Sequence, residues 1–396
     1  MFQYIQAAPP DAILGLSEAF RSDPNVEKIN LTVGVYQDAN GQTPILECVK
    51  QAEQRILADS KTKSYLAIDG NPVYDRLVQE LLFGRGHEIV TGKRAVTLQT
   101  PGGTGAVRVA ADFVKAMFPE AQMFMSDPTW PNHPSIFRAS GIETQTYRYF
   151  DSFGNALDFA AMMDDLRRIP AGNVVLFHPC CHNPTGVDPS AEQWRQVADV
   201  VFERGLLPLL DFAYQGFGRG IVEDAKGLHA FARAGAELLV CSSFSKNFGV
   251  YSERVGALTL VASNPQTASV ALTQLKQCVR ANYSNPPAHG AAIVATVLGD
   301  DRLRSQWEEE LAEMRNRIHG MRRLFCTKIN QKQAKRDFSF IQEQQGMFSF
   351  TGLSADQVRQ LREEKSIYII GNGRINVAGI TEPNVDRLTD AICDVL

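Results

Sequence analysis

The chain has 396 residues, of which 44% are hydrophobic and 21% charged, and its net charge is −4. That length exceeds what one core usually organises, so two domains are expected in a globular protein. The mild acidity and the lack of a long basic run argue against nucleic acid as a partner, and no apolar stretch is long enough to span a bilayer.

The residues up to Pro10 form an apolar, proline-ended arm without the cationic and apolar segments of a signal peptide. Asp11 is placed to cap a helix through Phe20, with Ile13, Leu14, Leu16 and Phe20 on one side. Lys28 to Tyr36 reads as a strand interrupted by Gly34. Helices are predicted over 46–58 and 72–83, and the loop between them carries Tyr65. Strands are then predicted over 95–99, 122–126, 144–149, 173–177, 206–210, 238–241 and 257–261, with helices over 105–117 and 191–203 among them. Apolar, β-branched strands alternating with helices predict an α/β domain whose largely parallel sheet is covered on both faces. Beyond residue 264 the pattern is helical, with one long helical region from about 289 to 330. Short strands in SFIQEQQGMFSF and SIYIIGNGRINVAG, with helices over 355–364 and 383–395, predict a second, smaller α+β domain.

Seven cysteines, an odd and scattered set, predict reduced and mostly buried thiols in a cytoplasmic setting. Adjacent Cys180 and Cys181 lack zinc-ligand spacing, and neither CxxC nor HExxH occurs, so no metal is expected.

The polar residues fall at telling places. Predicted strands run, at their carboxyl ends, into TPGGTGAVR, HPCCHNPTG, DFAYQGFG and SSFSKNFG. Ligands of open α/β sheets bind in the crevice outside those ends. Each feature alone has an ordinary explanation. Lys246 is a solvated loop lysine unless burial and neighbouring cations depress its pKa and leave the amine nucleophilic. The GGTG turn either starts a helix or cradles a phosphate at a helix N-terminus; it lacks the lysine of a Walker loop and dinucleotide spacing. Asp211 is a cap, or a carboxylate that keeps a ring nitrogen protonated. Tyr214 can donate to a phenolic oxygen, Asn183 can be a turn residue, and Trp130 is either core or a stacking partner. Arg374, between two β-prone runs, is costly to bury unless paired, and its fork suits a carboxylate. Arg280 in VRANYSNPP has a structural or solvated role when read alone.

Taken together, SFSKNFGVYSERVG, CCHNPTG, DFAYQGF and YSNPPAHGA, in that order and at these separations, carry a close resemblance. Essentially the whole chain resembles the fold-type I pyridoxal-phosphate enzymes, specifically the bacterial aspartate and aromatic aminotransferases. The resemblance implies a large domain with a mostly parallel mixed sheet over 46–313. It further implies a small α+β domain over 11–45 and 314–396, and an arm over 1–10 packing on a partner subunit. Pyridoxal 5'-phosphate is the implied cofactor, and amino acids and 2-oxo acids are the implied substrates of a cytoplasmic homodimer. The implied reaction passes the amino group of L-aspartate to 2-oxoglutarate in a ping-pong cycle; the alternative is an aromatic or dual-specificity transaminase. By the same resemblance Lys246 forms the Schiff base and moves the proton, and Asp211 pairs with the ring nitrogen. Tyr214 and Asn183 bond the ring oxygen, and Trp130 stacks on the ring. Gly103, Thr104, Ser243, Ser245 and Arg254 hold the phosphate, which Tyr65 reaches from the neighbouring subunit. Arg374, with Gly34, Trp130 and Asn183, binds the substrate; Arg280 takes its distal carboxylate across the interface, and His133 supports Asp211. Two departures stand out: KSIYIIGNGR is less aromatic than the pattern, which touches side-chain preference, and Gly102 stands where some members have serine.

Overall fold

Seven strands form the central sheet of the computed structural model, which describes residues 2–7 and 14–396. They are β1 (Ala95–Pro101), β2 (Met123–Asp127), β3 (Thr144–Arg148), β4 (Val174–Phe177), β5 (Leu207–Phe212), β6 (Leu238–Ser243) and β7 (Val255–Val261). Their order across the sheet is β1-β7-β6-β5-β4-β2-β3. The β2–β3, β2–β4, β4–β5 and β5–β6 pairs are parallel; β7 alone runs antiparallel to both its neighbours, β1 and β6. The mostly parallel mixed sheet is therefore as expected. β4, β6 and β7 are buried along their whole length, the mark of strands covered on both faces. One apolar cluster contains Val175, Phe177, Val240 and Ala257, and a second contains Leu176, Leu209, Cys241 and Leu258. Residues of alternating parity thus separate onto opposite faces, as the strand period requires.

Several boundaries differ from expectation in ways that matter for the site. β5 and β6 extend further than the apolar runs suggest, so Asp211 and Ser243 lie within strand ends. The helix Gly102–Met117 begins ahead of the predicted residue 105, directly from β1, and gathers the GGT backbone into its first turn. The predicted strand over 28–36 shrinks to Ile29–Asn30. The carbonyls beyond it are taken by side chains: Arg374 Nη2 donates to Thr32 O at 2.6 Å, and Asn376 Nδ2 donates to Val33 O and Val35 O at 2.8 and 2.9 Å. The region expected as one helix is two, Ala288–Leu298 and Asp301–Gln331, divided where Asp300 caps the second through Leu303 N–H. Asp11 lies outside the described residues; the helix expected there spans Leu14–Ser22. SFIQEQQGMFSF yields a 3-10 turn and the strand Phe348–Phe350.

The N- and C-terminal parts of the chain are stitched together beside the sheet. Ile29–Asn30 pairs in parallel with Ile367–Tyr368, and Phe348–Phe350 pairs antiparallel with Arg374–Asn376. Arg374 is thereby brought to the rim of the large sheet. All seven cysteines are free, and Cys48, Cys180, Cys181, Cys241 and Cys326 are buried, as the composition implied.

Candidate active site

The carboxyl ends of β4, β5 and β6, together with the β1-to-helix turn, open on one cavity. Gly34, Gly103, Thr104, Trp130, Asn183, Asp211, Tyr214, Ser243, Ser245, Lys246, Arg254 and Arg374 all line it. Of the residues singled out from sequence for the site, His133 sits behind Asp211 and not on the cavity wall, and Tyr65 and Arg280 lie elsewhere. Tyr65 is 92% exposed, and Arg280 is exposed with its Nη1 on Ser284 Oγ.

Lys246 follows β6 in a turn and its ammonium faces the cavity, 4.8 Å from the Tyr214 ring centre. Burial lowers its pKa to about 8; the Asp211 charge opposes that shift and the Arg254 charge adds to it. An amine so placed is largely protonated at neutral pH yet within reach of its free form. Asp211, at the end of β5, is buried and accepts from His133 Nε2 at 3.0 Å. Burial alone pushes its carboxyl up, but the His133 hydrogen bond and the nearby Lys246 ammonium outweigh that and hold it below the usual range. His133 is fixed in turn by Thr129 Oγ1 at 2.8 Å from Nδ1, and the Trp130 ring meets it edge-on at 5.1 Å. His178, 4.0 Å from Asp211, is pushed down to about 3 by burial and is therefore neutral.

At the other end of the cavity the chain builds an anion cup. The helix Gly102–Met117 points its free N-terminal N–H groups inward. A Cβ on Gly102 would stand 2.5 Å from Arg254 Nη2, and one on Gly103 would stand 2.9 Å from Ser243 Cβ, so the glycines let both side chains close on the turn. Arg254 Nη1 donates to Ser245 Oγ and to Tyr251 O, each at 3.2 Å, and no carboxylate among the described residues pairs with it. Positive charge, hydroxyls and free N–H groups without a resident acid fit a phosphate group.

Arg374 is 2% exposed and equally lacks a carboxylate. Its Nη1 donates to Asn183 Oδ1 at 3.2 Å and its guanidinium lies 4.2 Å from the Phe348 ring centre, while Nε is buried without a partner. A buried, uncompensated guanidinium on a cavity wall is arranged for an incoming carboxylate.

Sequence reasoning passed over Ala213, Tyr251 and Phe348, which also line the cavity. Tyr251 stands between Lys246 and Arg254, and its hydroxyl accepts from Tyr36 N–H at 2.8 Å, tying the Gly34 segment to the lysine loop. Its place inside that motif was the available signal. Phe348 gave none, because a phenylalanine in a short strand looks like core; its ring stands where a Cβ on Gly34 would come within 2.6 Å.

The family model described as "Aminotransferase class I and II" matches residues 26–392. An aspartate aminotransferase of Salmonella typhi is 56% identical over 396 residues, covering all of both chains. An aromatic-amino-acid aminotransferase of Escherichia coli (strain K12) is 44% identical over 397 aligned positions, again covering both fully. Among solved structures, an aromatic-amino-acid aminotransferase from Burkholderia pseudomallei, covalently bound to pyridoxal phosphate, superposes with a TM-score of 0.97. It has 45% identity and covers 100% of this chain and 99% of its own.

Proposed function

The chain belongs to the class I and II aminotransferase family, and from that premise we propose that it is a pyridoxal-phosphate-dependent aspartate transaminase, moving the amino group between L-aspartate and 2-oxoglutarate. The observation that carries this reading is the single cavity in which Lys246 faces Asp211 at one end of an acid-free anion cup, with Arg374 unpaired on the wall.

The residues present fit the cofactor. Gly103, Thr104, Ser243, Ser245 and Arg254 would hold its phosphate, Asp211 its ring nitrogen, Tyr214 and Asn183 its ring oxygen, and Trp130 a ring face. When bound, pyridoxal phosphate supplies the sink for the electron pair left as the Cα–H bond breaks. The rest of the work belongs to the chain. The Lys246 amine, once free, takes the Cα proton and would deliver it to the cofactor carbon that bears the transferred nitrogen; its place facing the cavity suits that role. Asp211 stays ionised, because His133 donates to it from beneath. Arg374 binds the α-carboxylate by a paired fork and so orients the Cα–H bond toward the lysine.

Tyr65 and Arg280 support a homodimer, since both are exposed away from their own chain's cavity and the resemblance assigns them to the partner's site. In that assembly Tyr65 reaches the partner's phosphate cup and Arg280 meets the distal carboxylate. The chain divides into a large domain over 46–313 and a small domain over 11–45 and 314–396, a division supported by the pairing of Ile29 with Ile367; the resemblance assigns the arm over 1–10 to packing on the partner, and residues 1 and 8–13 lie outside the described residues. A cytoplasmic setting is supported by the free, mostly buried thiols. No helix among the described residues is long and apolar enough to cross a membrane.

The aromatic reading has its own support in the superposition with an aromatic-amino-acid aminotransferase. Aspartate is preferred because aspartate relatives reach 56% identity, while aromatic relatives stand at 44% and 47%. Parallel kcat/KM values for aspartate, phenylalanine and tyrosine, with 2-oxoglutarate as acceptor, test the choice. Aspartate is expected to lead; phenylalanine or tyrosine ahead of it would overturn the preference.

A further inference from the structure

Arg322 lies on the helix Asp301–Gln331 and is 1% exposed. No carboxylate among the described residues forms an ion pair with it. Its Nη2 donates to Gly346 O at 2.8 Å and Phe348 O at 3.1 Å, and Nη2 and Nε reach Ser349 Oγ at 3.3 and 3.4 Å. Its Nη1 is buried without a partner. Enclosing a guanidinium without a counter-ion is costly, and an unbranched apolar side chain would fill the space without that cost. What an arginine adds is a rigid planar fork that fixes several acceptors of one short segment together.

That segment leads to Arg374 by two routes. In the first, the Phe348 ring lies against the Arg374 guanidinium and meets the Tyr214 ring edge-on at 5.8 Å. In the second, the backbone itself is in close contact. A Cβ on Gly346 would stand 2.5 Å from Cys181 Cβ, one on Gly186 would stand 2.5 Å from Phe348 O, and Gln345 N–H donates to Gly186 O at 2.6 Å. The 181–186 turn clamped in this way carries Asn183, whose Oδ1 accepts from Arg374 Nη1.

We propose that Arg322 is a positioning residue for the substrate's α-carboxylate: by fixing residues 346–349 it sets the two surfaces, the Phe348 ring and the Asn183 amide, that aim the Arg374 guanidinium. This rests on the reading of Arg374 as the carboxylate anchor. Arg322 is not part of the cavity wall and acts only through Phe348 and Asn183, so its main effect falls on substrate binding.

The test compares Arg322→Met and Arg322→Lys holoenzymes with the parent, reading kcat, the KM for aspartate, the affinity for succinate as an unreactive dicarboxylate, and the visible absorbance against pH. Arg322→Met is expected to raise the aspartate KM and weaken succinate about ten-fold, with kcat lowered less than about three-fold and the midpoint of the spectral pH titration displaced, because Asn183 also serves the ring oxygen. Arg322→Lys, which keeps part of the carbonyl contacts, should recover a portion of the loss. An unchanged KM, or a fall in kcat and cofactor retention with KM untouched, would overturn the proposal. Should Arg322→Met fail to fold, the lysine variant decides alone: a raised KM supports the role and an unchanged one refutes it. Arg374→Leu is the control. If it binds succinate as well as the parent, the anchor reading has failed; if it loses succinate while Arg322→Met does not, only the Arg322 inference has failed.

Discussion

Asp211 Oδ2 and His133 Nε2 meet at 3.0 Å, both buried, with Thr129 Oγ1 2.8 Å from the other ring nitrogen. When the Thr129 hydroxyl donates to Nδ1, Nε2 carries the proton and the imidazole donates to the carboxylate. The acid is thus held ionised in a place where burial alone would protonate it.

That arrangement predicts the effect of neutralising the carboxylate. Asp211→Asn keeps the side-chain size and loses the charge, so kcat for aspartate should fall about a thousand-fold or more. Succinate affinity, which depends on Arg374, should stay within about three-fold of the parent. Steady-state rates and a succinate titration check both; a variant retaining most of its kcat would remove Asp211 from its assigned role.

Lys246 ties activity to stability. Its ordinary value is 10.5 and burial brings it to about 8 in the folded cofactor-free chain. Between these values the unfolded chain holds a proton that the folded chain has released, so stability rises with pH across that window. Below about 8 the cost of the buried charge is fully present. Lys246→Met should therefore stabilise the cofactor-free protein at pH 7 by no more than about 3 kcal/mol and flatten the rise above pH 8. Denaturant midpoints of both proteins at pH 7 and pH 10 measure this, and equal pH slopes would contradict it.

Sharing of sites between protomers gives a prediction that no single-chain explanation shares. Lys246→Ala and Arg280→Asp homodimers should each be nearly inactive toward aspartate. Unfolded together and refolded, they should form hybrids in which one site has an intact Lys246 and receives Arg280 from the other protomer. Random pairing then restores about a quarter of the parental activity. No recovery in a mixture shown to contain hybrids would place Arg280 outside the partner's site.

Much of this site was legible because its parts are strand ends and loops with unusual chemistry. Lys246, Asp211, Asn183 and the GGTG turn follow apolar runs at the positions where an open α/β sheet binds its ligands, and all of them line the cavity. The sheet was equally legible, since β-branched runs buried on both faces have few alternatives. What escaped depends on contacts distant in sequence. The strand expected over 28–36 is short because Arg374 and Asn376, more than three hundred residues away, take its carbonyls. Phe348 and Tyr251 matter through what they touch, which their local sequence does not encode. Arg322 is the extreme case, an arginine in a charge-rich helix that reads as solvated and is buried against backbone carbonyls.

The most direct measurement is single-turnover transfer from L-aspartate to bound pyridoxal phosphate, followed by absorbance, in the parent and in Lys246→Ala reconstituted with the cofactor. The parent should convert the cofactor to its amine form and release oxaloacetate. Lys246→Ala should bind aspartate and leave the cofactor unconverted over the same time, with a rate at least about a thousand-fold lower. Conversion at the parental rate without the lysine would contradict its role as the group that moves the Cα proton.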